Sequence, residues 1–141
     1  MTNTPTFTFS LLVILAGVFH IQSQFENTDC KELKNGRFHF YGKQSNDHFL
    51  ILRQDSLQRE VNLSTNDTSY WRIGWIDECT YKANYISGGG IKSEEEKSFL
   101  QNHSTIIQIQ KVTPDYYVVK GALDSLNSKL NIVDTVWIRA K

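Results

Sequence analysis

The sequence predicts an all-β domain, a small antiparallel barrel of about eight strands. Three observations carry that expectation. Apolar residues recur with a period of two from residue 36 almost to the C-terminus, the alternation of strands rather than the 3.6 of helices. Polar and glycine-rich clusters, among them Gln54-Asp55-Ser56 and Thr113-Pro114-Asp115, cut the pattern into hairpin lengths. No strand–helix–strand alternation occurs that would build a parallel sheet.

The first strand, 36–42, places Phe38 and Phe40 on one face. The second, 48–53, is an apolar run, Phe49-Leu50-Ile51-Leu52. The third, 57–63, alternates, and its Leu57, Val61 and Leu63 are expected inward, opposite Gln58, Glu60 and Asn62. In 68–76, Trp71, Ile73 and Trp75 share a face. In 79–85, Cys79, Tyr81, Ala83 and Tyr85 lie on one side and Thr80, Lys82 and Asn84 on the other. Such one-sided alternation is that of an antiparallel sheet with one wet face. Ser87-Gly88-Gly89-Gly90 interrupts the pattern. Ser93 followed by Glu96 is a capping-box signature, and Glu94 to Glu96 suit the positive end of a short helix near 93–101. Strands resume at 104–112, 116–120 and 132–139, with a longer connection at 122–131 that holds a helical turn near 123–126.

One domain, 24–141, accommodates all of these strands behind a leader, 1–23. Charge is balanced, with 15 basic and 15 acidic residues, so there is no basic surplus for a partner held by its phosphates. Nothing charged precedes Glu26, and residues 7–19 form an apolar run of roughly 20 Å if helical, short of a hydrocarbon core of about 30 Å. The leader therefore reads as a secretory signal removed near Gln24, or else as a retained anchor, the one case in which a membrane is involved. Cys30 and Cys79 match neither a redox CxxC nor a zinc spacing. In an oxidising compartment they form one disulfide, closing a loop worth roughly 4 kcal/mol.

Arg53, Asp55, Gln58 and Glu60 are the most suggestive polar set, read as a hairpin in which Arg53 pairs with Glu60 across the strands or as a polar recognition surface. The rings of Trp71, Trp75, Tyr81, Tyr85, Tyr117 and Trp137 are either core or the lining of a ligand cavity. Asp77 and Glu78 are adjacent and point to opposite faces of a strand, the wrong geometry for a carboxylate pair. His20, His39, His48 and His103 lack metal-ligand spacing, and no cofactor motif occurs. There is no nucleophile elbow and no phosphate loop. Triplets of the glycosylation type occur at Asn62, Asn66 and Asn102.

Four pieces of the chain resemble a family of small exported Bacteroidota proteins. Cys30 followed by Leu33-Lys34-Asn35-Gly36-Arg37-Phe38 is similar to that family's opening. Arg53-Gln54-Asp55-Ser56-Leu57-Gln58-Arg59-Glu60 resembles its R-x-D-S-x-Q-x-E hairpin. Trp75 to Tyr81 resembles its W-x-x-x-C-x-Y junction, and a last strand ends in a basic tail. The resemblance implies a lipocalin-like barrel with no established activity. A topoisomerase IV label attached to some members finds no support in a chain so small and neutral.

The expected function is that of an exported, non-enzymatic binding protein that carries or senses a small apolar or amphipathic ligand. The alternative is an envelope module with a solid core that binds another protein through its outer face. The mass of the mature chain is expected to begin near Gln24; an intact Met1 in an envelope fraction would assign the leader as an anchor.

Overall fold

The computed structural model describes residues 29–43, 45–124 and 132–141. The expected leader lies outside the described residues, as does the second half of the helical turn expected near 123–126; Leu123 instead ends a strand. Eight antiparallel strands pair in sequence order and close into a barrel. They are β1 Gly36–Tyr41, β2 His48–Gln54, β3 Leu57–Asn62, β4 Thr68–Trp75, β5 Thr80–Gly88, β6 Thr105–Val112, β7 Tyr116–Leu123 and β8 Ile132–Trp137. Among the described residues one α-helix is present, α1 Glu94–Asn102, which joins β5 to β6. Its capping box is formed: the Ser93 hydroxyl accepts the Glu96 N–H at 3.1 Å. The Glu96 carboxylate in turn accepts the N–H of Lys92, the residue before the cap, at 2.8 Å and ties the incoming chain to the first turn.

The rings of β4 and β5 interlock as their alternation requires. Trp71 stands opposite Tyr85, Ile73 opposite Ala83 and Trp75 opposite Tyr81. Ile73 and Ala83 are both buried, so the small side chain faces a branched one and leaves no gap.

The facing of β3 differs from the sequence expectation. Leu57 and Leu63 are 46% and 45% exposed, whereas Gln58 is buried and Glu60 half-buried. The cause lies in the two-residue turn at Asp55-Ser56, where Asp55 adopts φ 51°. That turn pairs Gln54 with Leu57, Arg53 with Gln58 and Ile51 with Glu60. Residues opposite one another share a face. Once Ile51 and Arg53 point inward, Gln58 and Glu60 must follow, and the leucines are left outside.

One end of the barrel is plugged. A single 3-10 turn, Lys31–Leu33, precedes β1, and Leu33 is buried against the core. Cys30, fully buried, is bonded to Cys79 in the β4–β5 connection, with Cα atoms 5.3 Å apart. Such a bond suits an oxidising, non-cytoplasmic compartment. Among the described residues no helix is long and apolar enough to cross a membrane.

Cys79→Ala is expected to lower stability by about 2–5 kcal/mol in oxidising buffer. The variant and the wild type should differ little once reductant is present, as read from urea unfolding midpoints.

Candidate functional site

The barrel interior divides into a packed half and a hollow half. The packed half holds the β4–β5 rings: Trp71 and Tyr85 meet edge to face at 5.3 Å, and Trp75 tilts over Tyr81 at 4.9 Å. The hollow half is a cavity of about 260 Å³. Its apolar wall comes from Phe40, Phe49, Ile51, Ile107, Val119 and Val136, and its polar groups are Arg53, Gln58, Glu60, Tyr81, Tyr117 and Asp134. An apolar cavity of roughly 150 Å³ accepts a benzene, so this space suits a molecule of about ten heavy atoms.

Arg53 organises the polar floor. It is 3% exposed, and three of its five N–H donors are used. Nε donates to Gln58 Oε1 at 2.8 Å, Nη1 to the Leu33 carbonyl at 2.8 Å and Nη2 to the Tyr81 hydroxyl at 2.9 Å. The guanidinium also lies 4.6 Å from the Tyr81 ring centroid, 5.3 Å from Phe38 and 5.7 Å from Trp75. Burial opposes its charge, but the Tyr81 and Tyr117 hydroxyls outweigh that and hold it above its ordinary value. The residue is cationic at any working pH.

Gln58 passes the arginine's polarity on. Its amide donates to Glu60 Oε1 at 2.6 Å, so Arg53 and Glu60 are connected through Gln58 rather than paired directly across the hairpin. Burial raises the Glu60 carboxyl above its usual range, against the Gln58 hydrogen bond, the Arg53 charge and the Trp71 indole. Burial likewise raises both tyrosines, with Arg53 opposing.

Two buried side-chain groups make no hydrogen bond of standard geometry among the described residues, the Trp75 indole N–H and the Tyr117 hydroxyl. Of the two, only Tyr117 lines the cavity. At the edge of the space, Asp134 is held by Lys43 of the β1–β2 connection, with Nζ 3.1 Å from the carboxylate and 3.2 Å from the Val133 carbonyl.

The candidate residues thus separate. Tyr81 and Tyr117 border the cavity, while Trp71, Trp75 and Tyr85 belong to the packed half. Trp137 alternates with the inward Val136 and stands on the outer face, against Tyr116 at 5.3 Å and beneath the Lys141 ammonium at 4.2 Å. Arg53, Gln58 and Glu60 converge inside, whereas Asp55 sits exposed in the turn, its N–H bound to Asn35 Oδ1. Asp77 serves its own turn: the hydrogen bond from the Cys79 N–H lowers its carboxyl. His39 and His48 do converge across β1 and β2, with ring nitrogens 2.9 Å apart, but among the described residues no group of three ligating side chains forms. Phe40, Phe49, Asp134 and Lys43 were not candidates from the sequence. The alternation of β1 marked Phe40 as sharing a face with Phe38; the expected inward Trp137 put Asp134 on the opposite face, and nothing local marked Lys43.

Fold and site together define a closed eight-stranded calyx with a polar floor, an architecture consistent with lipocalin-like binding proteins. No family model matches the chain, and no curated protein matches it.

The raised Glu60 carboxyl has a thermodynamic consequence. Its folded value exceeds the unfolded value of 4.5, so its stabilising contribution is complete below 4.5 and is lost as pH rises through the raised value. Glu60→Gln keeps an acceptor for Gln58, removes the charge that answers Arg53 and removes the titration. The variant is expected to be less stable than wild type, with a stability that changes less with pH over the range in which Glu60 ionises, as read from urea midpoints.

Proposed function

We propose that this chain is an exported, non-enzymatic binding protein whose barrel takes one small amphipathic ligand. The observation that carries the reading is the cavity itself, about 260 Å³ inside the barrel, with an apolar wall and a polar floor where the buried Tyr117 hydroxyl faces the Arg53 guanidinium without a hydrogen bond of standard geometry. An unsatisfied buried polar group costs about 1–3 kcal/mol, and a ligand that bonds it recovers that cost.

The balance of charges favours an uncharged head. Arg53 and Glu60 offset one another through Gln58, and Asp134 is offset by Lys43. An anion would meet two carboxylates, and the arginine that might hold it already has partners. A cation would find both carboxylates already compensated. A hydroxyl or amide, able to donate to Glu60 and accept from Tyr117, meets both open groups. Its apolar body would lie against Phe40, Phe49, Ile107 and Val119.

The space, about 260 Å³, lies away from the β4–β5 rings, on the other side of the barrel. The residue to block is therefore Val119.

Calorimetric titration with hexanol, hexylamine and hexanoate tests the reading. Hexanol is expected to bind tightest, with a dissociation constant of about 0.1–1 mM for so few atoms. Tyr117→Phe should weaken it about 2- to 10-fold, one hydrogen bond's worth, and Val119→Trp should abolish it with the fold intact. No binding by any of the three, or equal binding by Val119→Trp, would remove the carrier reading.

A further inference from the structure

The opposite side of the same strands carries a second feature that the calyx does not use. Because β3 turns Gln58 and Glu60 inward, its Leu57 and Arg59 face outward, next to the outward residues of β1, β2 and β4. Arg37 stands opposite Leu52, Leu52 opposite Arg59 and Arg59 opposite Tyr70, a single row across four strands. Arg72 stands opposite Leu57 in the row beside it. Arg37, Leu52, Leu57, Arg59 and Tyr70 line a surface groove of about 660 Å³.

Three properties set this groove apart from ordinary surface. First, Arg37, Arg59 and Arg72 are all exposed, and among the described residues none enters an ion pair; the pairs there use Lys43, Lys82, Lys97 and Arg139. Second, no acidic side chain lines the groove, in a chain whose acids and bases are equal in number overall. Third, the spaces between the cations are filled by Leu52, Leu57 and Tyr70 rather than by small polar residues. Leu57 is 46% exposed and gains nothing from the fold in that position.

We propose that this groove binds an extended acidic segment of a partner protein, with carboxylates at alternate positions whose methylene stems lie on the apolar residues between the arginines. The spacing fits. Neighbouring strands lie about 4.8 Å apart, which puts Arg37 and Arg59, two strands apart, at about 10 Å. Arg59 and Arg72 are diagonal neighbours at about 7–8 Å. Alternate side chains of an extended peptide are about 7 Å apart, within reach of flexible arginine forks on both spacings. Guanidinium groups take carboxylates through two parallel hydrogen bonds, and a tyrosine with leucines supplies the apolar contact between them. The strands at the centre of the groove, β2 and β3, are paired on both sides, so a partner strand cannot add to the sheet there and recognition runs through side chains. A groove also seats a single chain, whereas a bilayer surface calls for a flat or convex face.

The test is fluorescence anisotropy with the full disulfide-bonded chain and a labelled decapeptide that alternates Glu with Val. A peptide with Gln in place of Glu is the control. The Glu peptide is expected to bind, and the Gln peptide to bind about tenfold or more weakly. Affinity should fall as salt rises from about 50 mM to about 500 mM, where the screening length shrinks severalfold. The triple variant Arg37→Gln/Arg59→Gln/Arg72→Gln should lose about tenfold or more while keeping wild-type melting behaviour, and Arg59→Gln alone should show a smaller loss in the same direction. Equal binding of the Gln peptide, an unchanged affinity in the triple variant, or no binding of the Glu peptide would overturn the proposal. Binding to vesicles of phosphatidylglycerol in phosphatidylcholine without binding to the peptide would also overturn it, and would reassign the groove to a lipid surface.

Discussion

The buried Arg53 guanidinium is the interaction on which the rest of the structure depends. A cation at 3% exposure is tolerable only if its donors are satisfied and its charge is answered. The chain answers it from four directions. The Leu33 carbonyl comes from the plug, Gln58 from β3, the Tyr81 hydroxyl from β5, and the faces of Phe38, Tyr81 and Trp75 surround it. No carboxylate touches it directly, and the compensating Glu60 is reached through an amide. Removing one partner of such a group typically costs about 3–5 kcal/mol, because the charge stays behind unanswered. The arginine thereby couples the plug, the β2–β3 hairpin and β5. The Cys30–Cys79 bond fixes the same plug covalently to the β4–β5 connection.

The facing of β3 follows from that arginine and produces both faces of interest. With Arg53 inside, the partner across the hairpin must be a side chain that can accept from it, and Gln58 is. Glu60, two residues on, is carried inward with it and gives the cavity an open acceptor in an otherwise apolar half. The same choice expels Leu57 and Arg59 to the outer face, beside Arg37, Leu52 and Tyr70. A single facing therefore sets the polar floor of the calyx and the cationic groove on its outer wall. A slip of one residue in β3 would exchange the two sets and leave Arg53 with leucines.

Much of this was legible in the chain. Period-two alternation located all eight strands, and Ser93 with Glu96 marked the one helix. The rings of β4 and β5 declared their shared face because every position on it was apolar or aromatic. The sequence was misleading at β3, where three aliphatic residues on one face outweighed the polar ones on the other. In a sheet with one wet face that count decides orientation. Here a buried cation on the neighbouring strand overrode it, and burial of a charge is not visible in periodicity. The hollow half was hidden for a related reason. Alternation names the residues that face inward, but whether they fill the space depends on their volumes across seven strands, and Val119 and Val136 are small where Trp71 and Tyr85 are large. Trp137 misled as a large ring with no marked partner, because its neighbour Val136 is the residue that enters the core.

The weakest seam of the barrel borders the cavity. The plugged end is held by the disulfide and by Arg53. At the seam between β8 and β1 the strands are joined only at His39–Trp137 and Phe40–Val136 among the described residues, whereas β1 pairs with β2 along its whole length. Beyond those two pairs the sheet is carried on by a side chain, Lys43, which reaches Asp134 and the Val133 carbonyl. An exposed pair of this kind is worth about 0–1 kcal/mol, far less than the hydrogen-bonded ladder it replaces. Phe40, Asp134 and Val136 all line the cavity at this seam. The hollow half therefore lies against the part of the wall with the shortest backbone ladder, and the polar floor lies against the plug, where the covalent and charged ties are.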